Sequence, residues 1–136
     1  MSEDLPEAAN PIRVVLLCEN PVVYQTLGSR LSADRSFAVV GSFDCIIDFV
    51  PEALAQKPQV VILGISRVTY FNMLICQAVR QASAEVRIVV LPSYFDTPED
   101  MQQAHTCGAD VVLEKSIDTP ALIERIRGLV EPPHRL

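Results

Sequence analysis

The most nucleophilic side chains in this sequence are four cysteines, Cys18, Cys45, Cys76 and Cys107. Holding zinc or cycling a disulfide needs sulfurs in close pairs, as in Cys-x-x-Cys, and no such pair occurs. Their wide, nearly even spacing suits no small disulfide framework either, so they are expected to be buried free thiols. His105 has no evident carboxylate partner and reads as a surface residue rather than a catalytic base. The segment Cys18-Glu19-Asn20-Pro21 follows the first apolar run, where a nucleotide-binding fold would place a glycine-rich phosphate loop, and it contains no glycine. Neither a metal site nor a cofactor is expected from these residues.

The elements that position them can be read from composition and period. A chain of 136 residues with 49% hydrophobic side chains can build one substantial core. The single domain is expected over residues 11–131, with an acidic tail at 1–10 and, after Pro132-Pro133, a tail or linker start at 132–136. A net charge of −6 and only two lysines, Lys57 and Lys115, oppose direct binding to nucleic acid or to an anionic membrane surface. No apolar stretch approaches the ~20 residues of a membrane span, and the start Met1-Ser2-Glu3-Asp4 is acidic where a secretory signal would be basic, so a cytoplasmic location is expected.

Short β-branched runs alternate with longer helix-spaced segments, the pattern of βα units around a parallel sheet. The predicted strands are Arg13–Cys18, Phe37–Val40, Val60–Leu63, Arg87–Leu91 and Asp110–Leu113. The third and fourth are apolar enough to be covered on both faces. Asn20-Pro21, Thr97-Pro98-Glu99-Asp100 and Asp118-Thr119-Pro120 announce three helices, each by a capping side chain before a proline. Between the second and third strands Pro51 breaks an apolar run, and the helix is expected mainly after it.

These residues resemble the receiver domains of bacterial two-component response regulators over about residues 12–130. The resemblance rests on Ile12-Arg13-Val14-Val15-Leu16-Leu17-Cys18-Glu19-Asn20-Pro21, Val40-Gly41, Pro58-Gln59-Val60-Val61-Ile62-Leu63, Val86-Arg87-Ile88-Val89-Val90-Leu91, and Gly108-Ala109-Asp110 followed by Lys115. It implies a three-layer, flavodoxin-like α/β sandwich, with five helices and a five-stranded parallel sheet in the order 2-1-3-4-5. In such domains two acids after the first strand and an aspartate after the third hold Mg²⁺, and the aspartate takes a phosphoryl group. A hydroxyl after the fourth strand and a lysine after the fifth read the new charge.

Carried over position by position, the acid pair becomes Cys18 and Glu19, the acceptor becomes Gly64, the hydroxyl position becomes Pro92, and only Lys115 is kept. Glycine cannot accept a phosphoryl group, and one carboxylate is too few for Mg²⁺, which wants several hard oxygens. The resemblance is therefore to a degenerate pseudo-receiver. Ser66 and Ser93 lie near the altered positions, but neither has an activating base. Lys115 is expected to contact Glu19 directly or through water, since an ammonium without a partner is costly to bury. A cation beside Cys18 would favour the thiolate, and Glu19 would oppose it.

The loops after strands three and four should lie together over this pocket, and they carry Tyr70, Phe71, Tyr94 and Phe95, four of the chain's eight aromatic residues. With Arg67 they are candidates for a partner-binding patch, since Tyr, Phe and Arg are favoured at interfaces. The other reading folds the rings inward to fill the vacated pocket. The expected function is a non-enzymatic, phosphorylation-independent signalling module that binds a protein partner, a sensor, regulator or output protein. A homodimer through the fourth and fifth helices is a further implication of the resemblance. The alternatives are a small-ligand sensor using the emptied pocket and the receiver part of a longer DNA-binding regulator.

Overall fold

The structure, a computed structural model, describes residues 11–94, 98–114 and 117–130. The apolar runs form β1 (Ile12–Cys18), β2 (Phe37–Asp44), β3 (Val60–Ile65), β4 (Arg87–Pro92) and β5 (Val111–Val112). Alternating with them are α1 (Pro21–Ala33), α2 (Val50–Ala55), α3 (Tyr70–Ala82), α4 (Pro98–Thr106) and α5 (Thr119–Val130), with a 3₁₀ turn at Ile47–Phe49 ahead of α2. Every strand pair is parallel and the sheet order is β2-β1-β3-β4-β5, as the sequence predicts.

The period of two along each strand splits the core between the two faces of the sheet. Val15, Leu17, Val61, Leu63 and Val90 pack with Val50 of α2, Met73 and Val79 of α3 and Ala104 of α4. On the opposite face Val14, Leu16, Cys18, Ile62 and Leu91 pack with Tyr24 and Leu31 of α1 and Leu122 and Ile126 of α5. β3 is buried at every position, as a central strand covered by helices on both faces must be.

β1 starts one residue earlier than the sequence reading, at Ile12, β4 ends one residue later, at Pro92, and the other three strands differ as follows. β2 continues past Gly41 to Asp44, because its register skips Val40 opposite the Val14–Val15 step, and glycine accommodates the bulge instead of ending the strand. β3 runs through Gly64 and Ile65, so Gly64 is an interior, doubly paired position rather than a strand end. β5 is shorter than predicted.

Asn20 occupies the N-cap of α1 but its side chain makes no capping bond, leaving Pro21 as the start signal. Asp118 does cap α5, accepting from the Ala121 N–H at 2.8 Å. Thr97 lies outside the described residues. A cap the sequence reading missed is Thr69, whose hydroxyl accepts from Asn72 N–H at 3.1 Å and opens α3. Pro51 sits in the first turn of α2, as expected.

At the edge where strands begin, Arg80 ties α3 to the sheet. Its guanidinium donates to the carbonyls of Val86 at 2.7 Å and Gly108 at 2.9 Å and to the Asp110 carboxylate at 2.8 Å. Asp110 in turn accepts from Ile88 N–H at 2.7 Å. These charge-assisted bonds fix β4 and β5 at that end, and the loops at the opposite end rest on a rigid frame.

Candidate functional site

β1, β3 and β4 end side by side, with Gly64 paired to Cys18 on one flank and Leu91 on the other. Alternation along β3 turns position 64 toward the layer of α1 and α5, the same face as Ile62. Tyr24, on the first turns of α1, fills the space there. A β-carbon built on Gly64 would lie 2.7 Å from both Cε1 and Cζ of the Tyr24 ring, well inside contact distance. Glycine at 64 and tyrosine at 24 are thus a matched pair, in which the absent side chain makes room for the ring.

The ring is 4% exposed, and a buried phenol needs a partner for its hydroxyl. The Tyr24 O–H reaches the Leu91 carbonyl at 3.1 Å, with the Ile65 carbonyl at 3.3 Å. Burial pushes its pKa above the ordinary phenol value, opposed chiefly by a hydrogen bond with the Ser93 side chain. Tyr24 therefore bridges the ends of β3 and β4 in the neutral form, at the place where a receiver-like pocket would hold its acceptor. The emptied pocket expected from the sequence is occupied at Gly64, because deletion of one side chain is compensated by another.

The neighbouring positions are likewise buried or engaged within the protein. Cys18 is fully buried, and desolvation pushes its thiol up to about 12 although a backbone hydrogen bond with Gly64 opposes this. Burial thus opposes the activated-thiolate reading. Glu19 is exposed, and its carboxylate accepts from Ser66 N–H at 2.5 Å while its own N–H donates to Gly64 O at 2.6 Å. The one acid left in the pocket thus clasps the β3 loop to β1. Pro92 is the buried last residue of β4, and Ser93 N–H donates to Ile65 O at 2.8 Å. Mg²⁺ does not fit these residues: one carboxylate already engaged by a backbone N–H, one buried thiol and a glycine supply too few hard oxygens. Lys115, and with it the expected contact to Glu19, lies outside the described residues.

Burial also pushes Cys45 and Cys76 up to about 12. A thiol whose folded pKa is raised adds stability that is complete below its unfolded value near 9 and is lost as pH climbs toward 12. The free energy of unfolding should therefore fall above pH 9, and Cys18→Ala should make that fall shallower in urea titrations across pH 8 to 11. An unchanged alkaline slope would contradict the assignment.

The aromatic loops do not fold inward. Tyr70 is 67% exposed, Phe71 76% and Tyr94 60%. The Tyr70 and Phe71 rings meet edge to face with centroids 5.8 Å apart, and the Arg67 guanidinium lies 5.5 Å from the centre of the Tyr94 ring. Phe95 lies outside the described residues. Phe43 and Phe49 turn to the core, with centroids 6.0 Å apart, while Ile46 and Ile47 between them stay exposed. Among the described residues the exposed large apolar side chains are Val22 after β1, Ile46 and Ile47 after β2, Tyr70 and Phe71 after β3, Tyr94 after β4, and Met101 in the first turn of α4. All are on the edge of the molecule where parallel strands end. Sequence reasoning found the aromatic loops but missed Tyr24, whose signal was its place on the stripe Tyr24, Leu27, Leu31 that faces the core.

No protein-family model matches the sequence, and no curated protein matches it. Among solved structures the chain is similar to the signal receiver domain of NarL from Mycobacterium tuberculosis, at 24% identity over 88% of this chain and 98% of that one, with a TM-score of 0.73. It is similar to the response regulator domain of Thermotoga maritima CheB at 19% identity over 92% and 100%, with a TM-score of 0.76. It is also similar to the beryllofluoride-activated receiver domain of Klebsiella pneumoniae RstA, at 22% identity over 88% and 99%, with a TM-score of 0.73. The fold is that of response regulator receiver domains. Among the described residues no helix is long and apolar enough to cross a membrane.

Proposed function

We propose that this domain is a non-enzymatic signalling module of receiver fold that works without phosphorylation and acts by binding a protein partner. The observation that carries the reading is the Tyr24 ring seated where a side chain at position 64 would stand, hydrogen-bonded across the ends of β3 and β4. A receiver switches when a new charge forms in this pocket and neighbouring loops respond. Here the same loops are joined by the buried, neutral Tyr24 hydroxyl and by the exposed Glu19 carboxylate on Ser66 N–H, with glycine where an acceptor would stand, so the edge they form is held in one arrangement. The exposed aromatic and aliphatic side chains on that edge supply the surface for a partner.

Incubation with acetyl phosphate and Mg²⁺ tests the reading. Intact-mass spectrometry at neutral pH should find the protein unmodified, while a receiver with an acceptor aspartate, treated in parallel, gains a phosphoryl group. Stoichiometric phosphate on any residue of this chain, Ser66 and Ser93 included, would refute it.

A further inference from the structure

We infer that the partner segment docking on the strand-end edge is a basic amphipathic helix. This rests on the interaction reading above and assigns the chemistry of the partner. Charge is sorted between the two ends of the molecule. Glu19, Asp44, Asp48 and Glu52 flank the apolar loops on the β1 and β2 side, and Glu99 and Asp100 flank them on the β4 side. Against them, among the described residues, stand Arg67 beside the aromatic loops and, on the far side, Arg30, whose guanidinium reaches Thr119 at the start of α5 at 3.4 Å. At the opposite end Arg80 and Arg87 pair with Asp110 and Arg127 with Asp34, so these three cations help to hold the fold.

An apolar centre ringed by carboxylates complements a surface that is apolar with basic flanks, and it repels nucleic acid and anionic lipid. The strand-end edge also offers no free strand for an added β-strand, because the lateral edges of this sheet are β2 and β5. Recognition there runs through side chains, which a helix presents on one face at intervals of three and four residues. Phe71 and Ile47 are the anchors, being large, apolar and half or more exposed, and Asp44 and Asp48 set the charge preference.

The probe is a synthetic Leu/Lys amphipathic peptide of about 18 residues, long enough to form a helix, compared with a Leu/Glu peptide of the same pattern. The basic peptide should bind at least tenfold tighter than the acidic one. Amide shifts in ¹H–¹⁵N spectra of the full chain should map to the loops after β1, β2 and β3, a readout that needs no variant. Phe71→Ala with Ile47→Ser should weaken binding about tenfold or more. Asp44→Asn with Asp48→Asn should weaken it several-fold and flatten its salt dependence.

Equal affinity for the two peptides, or shifts confined to α5 or the outer edge of β2, would overturn the inference. So would a concentration-dependent dimer abolished by Phe71→Ala, which would give the face to a second copy, or binding to vesicles of anionic lipid abolished by the same change. An unmodified mass with no peptide binding refutes this inference alone. Phosphorylation with peptide binding intact refutes only the phosphorylation-independent reading.

Discussion

Gly64→Asp, the single change that puts a carboxylate where the receiver resemblance would place the acceptor, is expected to destabilise the protein by about 3 kcal/mol or more and to leave it unphosphorylated. The first atom of the new side chain would stand 2.7 Å from the Tyr24 ring, and the ring is packed with Cys18, Leu31 and Leu91 in a closed core. Either the carboxylate is buried against an aromatic face with no cation described beside it, or the ring is expelled, losing its hydrogen bond to Leu91 and its burial. Gly64→Ala isolates the steric part and should cost about 2 kcal/mol by urea unfolding. Pairing it with Tyr24→Leu should recover part of that loss, since the two sites are in contact and their effects are coupled. Additive effects would mean that the ring and position 64 do not compete for one space.

Phosphoryl acceptance should appear only when four positions change together: Gly64→Asp, Tyr24→Ala, Cys18→Asp and Pro92→Ser. Each supplies a different requirement. The carboxylate introduced by Gly64→Asp would be the acceptor, removal of the phenol opens the pocket, an acid in place of Cys18 joins Glu19 in offering oxygens to Mg²⁺, and a hydroxyl in place of Pro92 can meet the transferred group. The expected result is acid-labile, acetyl-phosphate-dependent modification in the quadruple variant, at least a hundredfold faster than in Gly64→Asp. Groups that act as a unit are strongly non-additive, so any three changes should fall well short of the four. Comparable rates in the single and quadruple variants would show that Tyr24 and Cys18 do not block the chemistry.

The order of the sheet was legible because the apolar runs Val14 to Leu17, Val60 to Leu63 and Ile88 to Leu91 are short, β-branched and separated by helix-length segments. That glycine stands at position 64, where the resemblance would put an acceptor, was legible as well, since the apolar run Val60 to Leu63 fixes the register of β3. What fills the space was not legible. Tyr24 reads as one more core residue of an amphipathic helix, and only the spatial approach of α1 to the end of β3 shows its ring against a glycine 40 residues away. The length of β2 was missed because Gly41 resembles a terminator until the bulge is seen. The exposure of Tyr70, Phe71 and Tyr94 was an open choice in the sequence, since an aromatic loop can turn either way and the outcome depends on whether the pocket beneath it is already full.

Beryllofluoride, which mimics an aspartyl phosphate in receivers, gives the most direct test that this pocket is closed to phosphorylation. Amide spectra of the wild-type chain, recorded with Mg²⁺ before and after its addition, should superimpose at Glu19, Gly64, Ile65, Leu91 and Ser93, the residues around the Tyr24 ring. Saturable shifts at those amides would show that the site still takes up a phosphoryl mimic and would contradict a pocket held shut by Tyr24.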